Sequence, residues 1–127
     1  MVPDDIFKDV PEAIIPKLTY FNLGISEPGS KHDPLRFIQE LCRPEDYVIL
    51  KVDIDAISLE ENLVKTLLND NALMELVDEF FFEHHVTGGA MTTNGWHKPP
   101  MLGLDIVDSY SWFMKLRQAG IRAHSWV

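Results

Sequence analysis

The chain has 127 residues, enough for one domain, with 46% hydrophobic and 24% charged residues. Twenty acidic residues face eleven basic ones, for a formal net charge of −9. That balance argues against nucleic acid and against an anionic membrane surface as partners. No apolar run reaches the roughly 18 residues of a membrane helix, and no basic start precedes an apolar block as in a secretory signal. The one cysteine, Cys42, has no internal disulfide partner, which fits a reducing, intracellular and cytoplasmic setting.

Residues 1–16 hold three prolines (Pro3, Pro11, Pro16) and read as an irregular lead-in to a single domain over 17–127. Residues 17–25, KLTYFNLGI, have the composition of a strand. The stretch 26–33 is a loop by its Pro, Gly and Ser. Asp33 and Pro34 predict the start of a helix, with Leu35, Ile38, Leu41 and Cys42 on one face and Pro44 as its stop. Residues 47–52, YVILKV, form a nearly continuous apolar run of the kind buried on both faces of a parallel sheet.

Ser58 and Glu61 have capping-box spacing, so a second helix is expected to start there, with Leu59, Leu63 and Leu67 as its buried stripe. Residues 69–71 read as a break, followed by a short helical turn over 73–76. Residues 77–85, VDEFFFEHH, read as a second buried strand. A long loop over 86–100 follows, and loops of that length are often functional. A third helix covers about 105–119, with Ile106, Tyr110, Phe113 and Leu116 on one stripe and Gly120 as its C-cap. Residues 121–126 make the last strand. Alternating strands and helices imply right-handed crossovers and a mostly parallel α/β sheet.

Ligands of open α/β sheets bind beyond the carboxyl ends of the strands. Here one strand ends in Asp53-Ile54-Asp55 and another in Glu83-His84-His85. Side chains alternate along a strand, so Asp53 pairs with Asp55, and Glu83 with His85. On neighbouring strands these groups would crowd one edge. Carboxylates with water suit Mg, Ca or Mn, and an added imidazole widens the choice to Zn or Fe. The same groups could act as a general base, or could cap strand ends and bind water. Lys51, inside an apolar strand, is expected to snorkel or to pair with a carboxylate. His97, beside Trp96 and Lys98, sits in the long loop, where it is either solvated or part of a lid. His32 and His124 have no evident partner. No glycine-rich phosphate loop or nucleophile-elbow motif occurs, so nucleotidase and hydrolase signatures are absent.

Four segments, taken in order, resemble FkbM-like methyltransferases. YVILKVDIDAISLEENLVKTLL is similar to their fourth strand and following helix, where relatives read Leu-Lys-Ile-Asp-Ile/Val-Glu-Gly. VDEFFFEHHV resembles the fifth strand, which ends in Glu-x-His. TYFNLGIS resembles the third strand, and SYSWFMKLRQAGIRAHSWV the final helix and strand.

The resemblance implies a partial doubly wound, Rossmann-like sheet of class I methyltransferase type. It implies S-adenosylmethionine as cofactor and O-methylation of a small-molecule acceptor. Asp53, Asp55, Glu83 and His85 map to positions that serve catalysis, or hold a divalent metal or the substrate. Two departures stand out. Asp55-Ala56 replaces Glu-Gly, and Ala56 is less suited than glycine to a tight turn. The first two strands, with the glycine-rich cofactor turn, have no counterpart.

The fourth strand is therefore expected to have an open edge. Either the third-strand segment slides in beside it, or a second copy or a partner chain covers it. Three readings follow. The first is a methyltransferase-like domain inactive alone, serving as a structural or partner-binding subunit. The second is a methyltransferase completed by another segment or chain. The third is a metal-binding protein that uses the Asp53/Asp55/Glu83/His85 edge.

Overall fold

The computed structural model describes residues 7–86 and 104–126. A 3-10 turn at Ile15–Lys17 is followed by helix α1 (Pro34–Leu41), strand β1 (Ile49–Val52), helices α2 (Ile57–Asn69) and α3 (Asn71–Leu76), strand β2 (Glu79–Phe82), helix α4 (Ile106–Gln118) and strand β3 (Arg122–Ser125). The strands form one parallel sheet in the order β1-β2-β3.

The helix boundaries come from local chemistry. The Asp33 carboxylate accepts the Leu35 N–H at 2.9 Å and Pro34 opens the first turn of α1. Asp70 breaks the chain between α2 and α3 and caps α3 through the Leu73 N–H at 3.0 Å. Asp105 and Asp108 close a reciprocal capping box at the start of α4. Gly120, with φ 99, ends α4 in the left-handed region.

Register explains where the core lies. Leu50, Phe80 and Ala123 stand side by side across the sheet, as do Val52 and Phe82 one pleat further on. These side chains pack with Leu35 and Ile38 of α1, Leu63, Val64 and Leu67 of α2, Leu73 of α3, and Phe113 and Leu116 of α4. Each large apolar side chain buried there contributes about 1.5–3 kcal/mol. The other row is exposed at Ile49, Lys51, Arg122 and His124 and half-buried at Glu79 and Phe81. The strands are thus buried on one face only, a correction to the expectation for residues 47–52. Topology gives the reason. Two right-handed crossovers advancing in the same direction lay their helices on the same face. Covering both faces takes a reversal of strand order, and the described residues contain none.

Three local expectations are also corrected. Residues 17–25 form no strand. Leu18, Tyr20, Phe21 and Leu23 are exposed, and none of these backbones pairs with a strand among the described residues. Phe21 instead rests on Phe37 of α1, with ring centroids 5.1 Å apart. The segment therefore does not slide in beside β1. The capping box at Ser58 is absent, because α2 starts at Ile57 with Ala56 as an N-cap that offers no side-chain bond. Glu61, its supposed second member, points into the protein and is fully buried. On α4 the inward stripe is Ser109, Phe113 and Leu116, whereas Ile106 and Tyr110 are exposed.

Candidate metal centre at the sheet edge

The carboxyl ends of β1 and β2 lie side by side, because Val52 pairs with Phe82. Whatever follows each residue is delivered to a shared edge. After β1 the chain turns sharply at Asp55, the one described residue other than glycine with positive φ, at 55°. Aspartate tolerates this region better than most residues, and such backbones cluster at functional sites. The turn falls on Asp55 and leaves Ala56 at φ −117, so the lack of glycine at position 56 causes no strain.

This turn breaks the simple alternation expected for Asp53 and Asp55. Asp55 swings toward β2, where its Oδ1 lies 3.9 Å from His85 Nε2. Glu83 Oε2 lies 3.7 Å from the same nitrogen. One ligand atom from each of Asp55, Glu83 and His85 falls within a 4.8 Å group. The imidazole of His85 is buried, Glu83 is largely buried, and Asp55 is open to solvent. An exposed carboxylate beside a buried imidazole and a largely buried carboxylate would give an ion both a route in and a partly dry seat.

Asp53 is not one of the three converging groups but is tied to Glu83. Lys51 Nζ approaches its Oδ2 at 2.6 Å, while the ammonium also sits 4.4 Å over the Trp126 ring. Hydrogen bonds to Lys51, and next to Glu83, hold the Asp53 carboxyl below the usual carboxylate range. Glu83 moves the other way. Burial raises it first, and the hydrogen bond to Asp53 adds to the effect. Glu83 thus holds its proton to higher pH than an ordinary glutamate.

Three further residues at this edge, Glu60, Glu61 and His84, hold places that the reading of the sequence did not give them. Glu60, only 1% exposed, accepts the Ile54 N–H on its Oε1 at 2.7 Å. Its carboxyl is raised by burial, offset in part by that hydrogen bond. Glu61 Oε1 lies 3.8 Å from His84 Nε2, and both side chains are buried. His84 is stacked between Phe82 and Trp112, with centroid distances of 4.8 and 4.9 Å. Burial lowers His84 to about 4, with the neighbouring His85 adding to the shift, so it is neutral near pH 7. A signal for Glu60 was present: with Leu63, Val64 and Leu67 it occupies i, i+3, i+4 and i+7 of one helical stripe.

The other candidates are placed as follows. His124 Nε2 lies 2.9 Å from Glu79 Oε1 and its ring stacks on Phe81. His32 lines an apolar cavity of about 300 Å³ with Phe21, Leu23 and Phe37. Cys42 is a half-buried free thiol. Trp96, His97 and Lys98 lie outside the described residues, as does most of the 86–100 loop.

The described glycines are Gly24, Gly29 and Gly120, and none follows the carboxyl end of a strand. The described residues therefore offer no glycine turn of the kind that seats S-adenosylmethionine. No described helix is long and apolar enough to cross a membrane. Comparisons with protein-family models, with curated proteins and with solved structures found no match.

Proposed function

We propose that this chain binds a divalent cation at the carboxyl edge of its sheet, through Asp55, Glu83 and His85. One observation carries the reading: ligand atoms from three residues on two parallel strand ends converge within 4.8 Å. Two carboxylates and one imidazole suit Mn2+, which accepts both oxygen and nitrogen donors, and Zn2+ or Fe2+ next. A cation there would supply Lewis-acid polarisation of a bound oxygen. The protein's own part is to fix the ligands, with His85 buried and Asp55 at the mouth.

Calorimetric titration with MnCl2 tests this. The reading predicts one site per chain, lost in the Asp55→Ala/Glu83→Gln double variant. Wild-type protein that takes up neither Mn2+ nor Zn2+ at millimolar concentration would remove it.

A second reading, descent from an S-adenosylmethionine-dependent O-methyltransferase, is favoured by a different observation. The segments that resemble the fourth and fifth strands of FkbM-like methyltransferases, 47–68 and 77–86, hold β1 and β2, which are neighbouring parallel strands with acidic residues after both. On this reading the cofactor half comes from another segment or chain, and a partner or second copy extends the free edge of β1. Titration with S-adenosylmethionine distinguishes the two. Micromolar binding by this chain would favour a rebuilt cofactor site, whereas no binding leaves the cation reading to stand alone.

A further inference from the structure

Glu60 presents an unusual arrangement. It is a carboxyl group in the first turn of α2, almost wholly buried, on a helix stripe that is otherwise Leu63, Val64 and Leu67. Burying such a group is costly unless it makes good hydrogen bonds. The bond it makes is to the backbone N–H of Ile54, at 2.7 Å. Ile54 sits between Asp53 and Asp55, in the turn where Asp55 takes its left-handed conformation. A non-glycine residue holds φ 55 only when its surroundings over-determine it. The chain direction on either side of Asp55 is fixed by β1 before it and by α2 after it. The Glu60 bond is the side-chain tie that anchors the turn between them.

We propose that Glu60 is a positioning residue for the cation site. Its hydrogen bond to Ile54 sets the turn that carries the Asp55 carboxylate to Glu83 and His85. The proposal rests on the cation reading for its consequence, but the tie itself is a property of the fold. Glu60 is not among the three residues whose ligand atoms converge. Groups that support metal ligands in this way change affinity by about 10–100-fold when removed.

The experiment uses the whole chain with two substitutions of similar volume. Glu60→Gln keeps an oxygen acceptor for Ile54, and Glu60→Met removes it while keeping the buried stripe filled. Each is made alone and with Asp55→Ala. Two quantities are measured: Mn2+ affinity by calorimetry, and exchange protection of the Ile54 amide by NMR.

The proposal expects Glu60→Met to weaken Mn2+ binding about tenfold or more and to expose the Ile54 amide. Glu60→Gln should restore both. In the Asp55→Ala background, Glu60→Met should change affinity no further, because the ligand it positions is gone. Equal loss with and without Asp55, or an Ile54 amide protected as well in Glu60→Met as in wild type, overturns it. If the wild-type chain takes up neither Mn2+ nor Zn2+, the cation reading falls. The exchange of Ile54 then decides the positioning role by itself, with exposure in Glu60→Met and recovery in Glu60→Gln upholding it.

Discussion

Asp55 Oδ1 lies 3.9 Å from His85 Nε2 because Asp55 holds a backbone conformation that most side chains avoid. Conformation and contact can be separated by substitution. Asp55→Gly should leave thermal stability unchanged or raise it by up to about 1 kcal/mol, since glycine adopts positive φ freely. It should nevertheless lose the cation ligand. Asp55→Val should lose both, with stability falling by about 1–2 kcal/mol. Urea unfolding of the two variants checks this. Equal stability of Asp55→Val and Asp55→Gly would show that the turn carries no strain.

His84 makes the fold sensitive to acid. It is buried between Phe82 and Trp112 and its pKa is lowered from near 6.5 to about 4. The native state therefore binds fewer protons here than the unfolded state between those values. This contribution is complete above pH 6.5 and is lost as pH falls toward 4, at a total of roughly 3 kcal/mol. Glu60 and Glu83, both raised, act in the opposite sense, since their contribution falls as pH rises above about 4.5. His84→Phe keeps the ring stack and removes the titration. Stability measured from pH 7 to pH 5 should fall more steeply for wild type than for His84→Phe. Parallel profiles would contradict the assignment.

Lys51 places a positive charge beside the strand-end carboxylates. Its ammonium lies 2.6 Å from Asp53 Oδ2 and is half exposed, so the pair adds less than about 1 kcal/mol to stability. Lys51→Met should leave unfolding nearly unchanged. It should tighten Mn2+ binding by about threefold, as a positive charge leaves the edge. Weaker binding in calorimetry would mean that Lys51 holds Asp53 in a useful position.

The core makes a plainer demand. Leu67 is fully buried where α2 meets Phe80. Leu67→Ala should cost about 2–5 kcal/mol, read from the midpoint of urea unfolding. A loss below about 1 kcal/mol would mean that the helical layer is loosely packed.

Much of this was legible in the sequence where one residue's chemistry decides the matter. Asp33-Pro34, Asp105 and Gly120 mark helix ends on their own, and the apolar runs before Asp53 and Glu83 mark the strands. The failures arose where long-range pairing decides. The KLTYFNLGI segment has strand composition, but a strand needs a partner edge, and composition does not show which edge is vacant. Single-face burial follows from strand order, which no local pattern encodes. At the site, Asp55, Glu83 and His85 were found from their places at strand ends. Asp53 was grouped with them by alternation, and it meets the group through Glu83 rather than as one of the three converging residues. Glu61 was read as a cap residue and Glu60 was given no role, although its spacing from Leu63, Val64 and Leu67 marked it.

The most direct test of the central claim is pulsed electron paramagnetic resonance of Mn2+ added to the purified chain. Binding through Asp55, Glu83 and His85 predicts hyperfine coupling to a nitrogen nucleus, present in wild type and absent in His85→Gln. A Mn2+ signal with no nitrogen coupling, or one unchanged in His85→Gln, would contradict a site built on this imidazole.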